Sequence, residues 1–356
     1  MIVVAGAGMA GLVAAARLRE LGREVVVREK GTRIGGSMLL SSCVIWRHRE
    51  WEDFRRECPG GDELLQRQIW ERLDEAIAWL VSRGAPVVWE ETGNARTVGK
   101  RFEPRGLADA LAGDVELQTD GRSDDEATIL CTGGFAASDE LVTRYVAPAA
   151  ALRLRANEWS SGDGLRVALD RGASLTGGMD EFYGRNMPDA PWDETQLVSL
   201  SQLYGRFARI FDEDGIEFFS REDVSWSETN LVQATARRRD ARAYYVLDEA
   251  GLRERVRDRT VAEIVEAAPA EARMPLADLP FDPPEGALTA VRVIASITHT
   301  IGGLRIDERA RVAGVDGLWA AGVDAGGVAA GGYASGLAQA LVQGLAAAED
   351  AAAHGT

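Results

Sequence analysis

The run Gly6-x-Gly8-x-x-Gly11, set between the apolar Ile2–Ala5 and a helical pattern over Leu12–Leu21, limits what this chain can fold into more than any other feature. Glycine inside regular structure costs roughly 0.5–1 kcal/mol relative to alanine, so a cluster at a strand–helix junction needs a compensating reason. Ile2–Ala5 reads as a short buried strand and Leu12–Leu21 as a helix, which makes the glycines the turn between them. The first N–H groups of such a helix lack internal partners and carry partial positive charge. They suit a pyrophosphate, which approaches only where no Cβ intervenes. Gly22 ends the helix, and "EVVVREK" supplies a second strand finishing at Glu29, where a carboxylate accepts hydrogen bonds from an adenosine ribose. A 2'-phosphate would be repelled by Glu29. At this point FAD and NAD both fit.

With 356 residues the chain has room for a sizeable core and for two domains. A net charge of -16 excludes nucleic acid or an anionic membrane surface as the partner, because either polyanion would be repelled. The basic run Arg237, Arg238, Arg239 reads as a solvated face. Cys43, Cys58 and Cys131 have no metal-ligand spacing and cannot all pair, so no metal site is expected and disulfides do not hold the fold. That usage suits a reducing cytoplasm. The first strand starts at Ile2, leaving no room for a signal peptide, and no apolar stretch is long enough to span a bilayer. The expectation is a cytoplasmic protein without a membrane span.

Further along, "GTRIGGSMLLSS" again permits close backbone approach, at Gly35 and Gly36. A helix is predicted from Leu64 to Leu80, capped by Asp62 and ended by Gly84, with Trp70 and Trp79 as packing residues. "DVELQTDGRSDDEATILCTGGF" reads as a hairpin whose second strand, Ala127 to Cys131, ends in Thr132, Gly133 and Gly134. Ligands of doubly wound sheets lie beyond the carboxyl ends of strands, which places this second glycine-bearing end beside the first. From Met179 to Gly286 the texture becomes that of an inserted mixed domain, closed by a proline-rich connection. The last segment returns to the opening pattern: a strand over Gly317–Ala321, a glycine-rich loop, and a helix starting near Ser335 to Leu337. A helix N-terminus aimed at the N1 and C2 carbonyl edge of a flavin would favour the anionic reduced ring.

These segments resemble the FAD-dependent oxidoreductases that contain fumarate reductase and succinate dehydrogenase flavoproteins and the 3-ketosteroid dehydrogenases. The matching stretches are "GAGMAG" with Glu29, "GGS" at Gly35, "TGGF" at Thr132, "GDG" at Gly162, "THTIGGLRID" from Thr298 and "GLWAAGVDAGGVAAGGYASGLAQAL". The resemblance implies an α/β chain with a Rossmann-like, glutathione-reductase-type FAD-binding domain, discontinuous over 1–178 and 287–356. An α+β capping domain over 179–286 is inserted into it. It implies FAD contacts at Gly6, Gly8, Met9, Ala10, Gly11, Glu29, Lys30, Gly35, Gly36, Ser37, Thr132, Gly133, Asp163, Gly322, Asp324, Ser335 and Leu337. Val323 stands where many members have glutamate, with the acid one position later at Asp324. No histidine lies beside Ser37, and His48 comes several residues too late for the family's covalent link, so FAD is expected to be noncovalent.

Where fumarate reductases present an arginine, this chain has Tyr333 in "GGYASGLA". A guanidinium clamps a carboxylate bidentately, whereas a phenol donates one hydrogen bond, so the change argues against a dicarboxylate substrate. The tyrosine is similar to the ketosteroid-dehydrogenase side of the group, in which a phenol polarises a ketone. His299 in "THTIGG" matches a family histidine near the substrate. The pattern "GIEFFSR" carries Glu217 and Arg221 in exchanged places, so the family's proton relay is not transferred. The expectation is an FAD enzyme acting on a carbon–carbon bond next to a carbonyl of a small molecule, with Tyr333 and His299 as activating residues. Its electron donor or acceptor and its oligomeric state are not read from the sequence. The alternatives are a reductase of unsaturated acids anchored by Arg206, Arg209 or Arg253, a flavin-binding protein without turnover, and an NAD-dependent dehydrogenase. Tyr183 and Tyr204 are further pocket candidates.

Overall fold

The computed structural model describes residues 1–119, 128–146 and 151–354. It divides into two compact units, Met1–Leu141 with Ala156–Glu181 and His299–Thr356, and Val142–Arg155 with Phe182–Thr298.

The first unit is built on five parallel strands, β1 (Ile2–Ala5), β2 (Val25–Glu29), β3 (Glu116–Leu117), β4 (Thr128–Leu130) and β5 (Leu318–Ala320), in the order β5-β4-β1-β2-β3. A sheet covered on both faces needs continuous apolar strands, and Ile2–Ala5 and Leu318–Ala320 are buried along their whole length. The opening strand–turn–helix is as predicted, with α1 spanning Met9–Glu20. Among the described residues the two strands of the expected hairpin do not pair with each other, and Ala127 at the start of the second lies outside the described residues. Glu116–Leu117 pairs with β2 and Thr128–Leu130 with β1, so both join one parallel sheet as non-neighbours.

Helix α2 (Glu63–Ser82) starts at the predicted cap, where the Asp62 carboxylate accepts the Leu64 and Leu65 N–H groups at 2.9 and 3.2 Å. Gly84 follows its end at φ +87°. The closing helix α3 (Gly336–His354) is rich in alanine because it lies close to α1. A Cβ on Gly344 would come within 2.8 Å of the Ala10 carbonyl oxygen. A small antiparallel sheet of Val44–His48, Thr97–Phe102 and Val87–Trp89 completes this unit.

The second unit holds a seven-stranded, mainly antiparallel sheet. Its centre is Arg242–Leu247 paired with Thr289–Thr300, and Ala243, Tyr245, Leu247, Val291 and Val293 pack in one core. The unit boundaries fall at Glu181/Phe182 and Thr298/His299 because Phe182–Pro188 and Arg153–Leu154 both pair with Thr289–Thr300. Among the described residues no helix is long and apolar enough to cross a membrane. All three cysteines are free and buried.

Candidate functional site

The glycine turn of the first unit separates two kinds of glycine. At Gly6, with φ +101°, a Cβ would collide with the Cys131 carbonyl, and at Gly11 with the Gly6 carbonyl, so both are dictated by packing. A Cβ at Gly8 would meet no atom of the chain within 4 Å. Gly8 is the N-cap of α1, and by helix geometry the N–H groups of Met9, Ala10 and Gly11 have no intrahelical acceptor. Open space at the positive end of a helix, reached over bare backbone, fits a diphosphate.

The other predicted strand ends gather around this turn. The buried Glu29 accepts the Ala7 N–H at 2.7 Å and the Gly31 N–H at 2.6 Å, tethering the end of β2 to the turn. A carboxylate has about four lone-pair sites, so capacity remains for ribose hydroxyls. Gly35 donates its N–H to Ala7 O at 2.7 Å, and a Cβ on Gly36 would lie 3.1 Å from Gly8 Cα. Ser37 Oγ accepts the Asn157 side-chain amide at 2.8 Å. Lys30 Nζ donates to Asp163 Oδ2 at 2.9 Å and to Ser161 Oγ at 2.7 Å.

Asp324, which the resemblance implies as an FAD contact, is fully buried and bonded to the end of β4. Its Oδ1 accepts the Thr132 hydroxyl and the Gly134 N–H, each at 2.9 Å, and its Oδ2 accepts the Thr132 N–H. Burial raises its pKa, partly offset by these donors. Thr132 Oγ1 in turn accepts the Gly164 N–H at 3.0 Å, and Gly133 lies at φ +91°. Gly322, at φ +69°, brings the end of β5 against Ala10, where a Cβ would sit 3.1 Å from the Ala10 Cβ. Ser335 Oγ accepts the Ala338 N–H at 3.2 Å at the start of α3, where Leu337 is partly buried. The start of α1 thus lies against the middle of α3, where Gly322 and Gly344 both approach Ala10.

His299 lies next to this helix start. Its Nδ1 lies 3.1 Å from the Thr300 carbonyl oxygen, and a Cβ on Gly336 would stand 3.2 Å from its Nε2. The carbonyl can only accept, so Nδ1 carries the proton and Nε2 is left as the acceptor. Burial lowers the imidazole pKa and favours this neutral form. Tyr333 lies three positions before Gly336 and packs its ring 5.2 Å from that of Trp46. His48 Nε2 lies 3.3 Å from the Tyr333 carbonyl oxygen. Neither Trp46 nor His48 was singled out as a site residue from the sequence. The only signal was the density of aromatic residues in "VIWRHREWEDF".

The other substrate candidates are engaged elsewhere. Arg253 is exposed and paired with Glu249, and Arg209 pairs with Glu217 at 2.6 Å. Arg206 donates to Trp226 O at 3.1 Å, and Tyr204 is buried with its hydroxyl donating to Gln202 Oε1 at 2.6 Å. The Tyr183 ring lies beneath the Arg185 guanidinium at 4.8 Å.

A family model described as "FAD binding domain" matches residues 1–123 and 113–337 of the chain. A probable fumarate reductase of Shewanella frigidimarina is 23% identical over 99% of this chain and 75% of its own length. Among solved structures, the open conformation of a flavocytochrome c3 fumarate reductase superposes with a TM-score of 0.71 at 20% identity, over 99% of this chain and 78% of that one. A 3-ketosteroid dehydrogenase from Rhodococcus jostii, solved with an androstenedione, gives the same TM-score and identity over 99% and 96%.

Proposed function

This chain belongs to the FAD binding domain family, its cofactor is FAD, and we propose that it adds or removes two hydrogens across a carbon–carbon bond next to a carbonyl. Bound FAD supplies the hydride acceptor or donor at N5. The residues proposed to hold it are those of the sequence reading. Gly8, Met9, Ala10 and Gly11 face the diphosphate, with Gly6 shaping the turn. Glu29 and Lys30 lie towards the ribose end, supported by Asp163. Gly35, Gly36, Ser37, Thr132 and Gly133 line the backbone cradle, and Gly322, Ser335 and Leu337 lie towards the ring. Asp324 holds Thr132 in place.

The observation that carries the reaction is Tyr333 on a loop, residues 326–335, that contains no lysine or arginine. A phenol donates one hydrogen bond to a carbonyl oxygen and stabilises the negative charge that develops there when the neighbouring C–H is broken. His299, neutral with Nε2 as acceptor, is suited to hold a donor hydrogen in that place and not to supply a positive charge. We place the second unit as the substrate domain and FAD as noncovalent, since His48 is directed at the Tyr333 carbonyl. Buried free cysteines accord with a cytoplasmic location.

Anaerobic mixing of the oxidised holoenzyme with saturated cyclic ketones and with saturated mono- and dicarboxylic acids tests this. Loss of flavin absorbance with ketones alone supports the reading. Bleaching by acids alone would move the protein to the reductases of unsaturated acids, and an FAD-loaded protein that no substrate reduces, and that no enone reoxidises after chemical reduction, would be a binder without turnover.

A further inference from the structure

The loop that carries Tyr333 is bonded along much of its length by one neighbouring segment, and its Gly331 N–H donates to Glu181 Oε2 at 2.7 Å. The Asp62 N–H donates to Gly327 O at 2.6 Å, Gln66 Nε2 to Val328 O at 2.8 Å, and the Gly60 N–H to Ala330 O at 3.1 Å. Gly332 passes so close to the Glu57 carbonyl that any Cβ there would collide with it. These contacts fix the approach to Tyr333, whose backbone also bonds the Cys58 thiol, and two side chains on Val44–His48 reach the tyrosine.

One is His48, which is 2% exposed. Its ring stacks on Phe54 at 5.1 Å and 24°, and its carbonyl accepts the Trp70 indole N–H at 3.1 Å, so the imidazole cannot swing away. The Tyr333 carbonyl can only accept, which makes His48 Nε2 the donor. The other is Trp46, whose ring lies 5.3 Å from His48 and 5.2 Å from Tyr333. A phenol has two side-chain torsions, and a large ring beside it removes much of the freedom of the first.

We propose that His48 and Trp46 are positioning residues for Tyr333, His48 fixing its backbone through the Nε2–H bond and Trp46 fixing the direction of its ring. This rests on the reading of Tyr333 as the group that polarises the substrate carbonyl. Misplacement of a reacting group by about 1 Å costs on the order of 100-fold in rate, so such support is expected to be visible in turnover.

The test uses the FAD-loaded enzyme and the variants His48→Phe, His48→Gln, Trp46→Phe, Tyr333→Phe and the double variant His48→Phe/Tyr333→Phe. Hydrogen exchange in peptides covering 327–335 reads the clamp without reference to chemistry. His48→Phe is expected to speed exchange there about tenfold, with His48→Gln recovering part of the protection because its amide can still donate. Kinetics use the cyclic ketone that bleaches the flavin fastest. His48→Phe should lower kcat by roughly 10–100-fold with little change in KM, and the double variant should be no slower than Tyr333→Phe alone. Unchanged exchange in both His48→Phe and Trp46→Phe would overturn the clamp, as would single-variant losses that multiply in the double variant. Faster exchange in an enzyme whose Tyr333→Phe variant turns over normally would keep the clamp and sink the assigned chemistry. If His48→Phe does not fold, His48→Gln and Trp46→Phe decide by the same two readings.

Discussion

Asp324 and Thr132 are joined twice, backbone N–H to Oδ2 and hydroxyl to Oδ1, across the gap between the ends of β4 and β5. Replacing the acid with alanine leaves the half-buried Thr132 and the buried Gly134 N–H groups without this acceptor. Asp324→Ala is therefore expected to lose about 2–3 kcal/mol of stability in urea denaturation. It should also lose FAD more readily, because Thr132 and Gly133 are no longer held. A loss below about 0.5 kcal/mol would show that the clamp is incidental.

The glycine turn separates cofactor from packing. Gly8→Ala places its methyl in open space at φ -76°, a conformation any residue adopts. Stability of the FAD-free protein should change by no more than about 1 kcal/mol, while FAD affinity falls at least about tenfold because the methyl occupies the diphosphate approach. Gly11→Ala, aimed at the Gly6 carbonyl, should cost about 3 kcal/mol with or without FAD. Equal FAD affinity in Gly8→Ala and the parent protein would remove the diphosphate from this helix end.

How much of this was legible depends on whether the determinant is local. The Gly6–Gly11 turn and the Asp62 cap could be read because each is set by residues within a few positions of one another. The Glu116–Leu117 pairing was misread because a short strand, a polar stretch and a second strand look like a hairpin. Only the sheet order shows that each pairs with the opening βαβ unit. The bond between Asp324 and Thr132 spans 192 positions, and no periodicity reports that distance. Trp46 and His48 were invisible as site residues for the same reason, since the partner, Tyr333, lies 285 positions after His48.

Removing only the phenolic oxygen isolates the chemistry. The contacts of Tyr333 with His48 and Trp46 use its carbonyl and its ring, so Tyr333→Phe should keep both and retain its FAD. Turnover with the ketone found in the bleaching screen is expected to fall by roughly 100-fold or more, the usual contribution of a positioned acid. Unchanged kcat would take the tyrosine out of the reaction.

Glu228 in the second unit should make stability pH-dependent, in the direction opposite to a salt-bridged acid. It is buried at the start of helix Thr229–Ala236, and burial pushes its pKa up to about 7. The Arg185 and Arg206 guanidiniums and the Gly205 and Arg206 N–H groups oppose that rise without cancelling it, and the Tyr204 and Tyr245 phenols also face the carboxyl. The folded state therefore prefers the protonated acid. The stability this confers is complete below the ordinary value near 4.5 and is lost as pH rises through about 7. The total is on the order of 3 kcal/mol. Glu228→Gln mimics the protonated form and should lack this loss. Urea denaturation from pH 5 to 8.5 is expected to show the parent protein falling relative to the variant as pH rises. Parallel curves would mean that Glu228 is charged throughout, held so by Arg185.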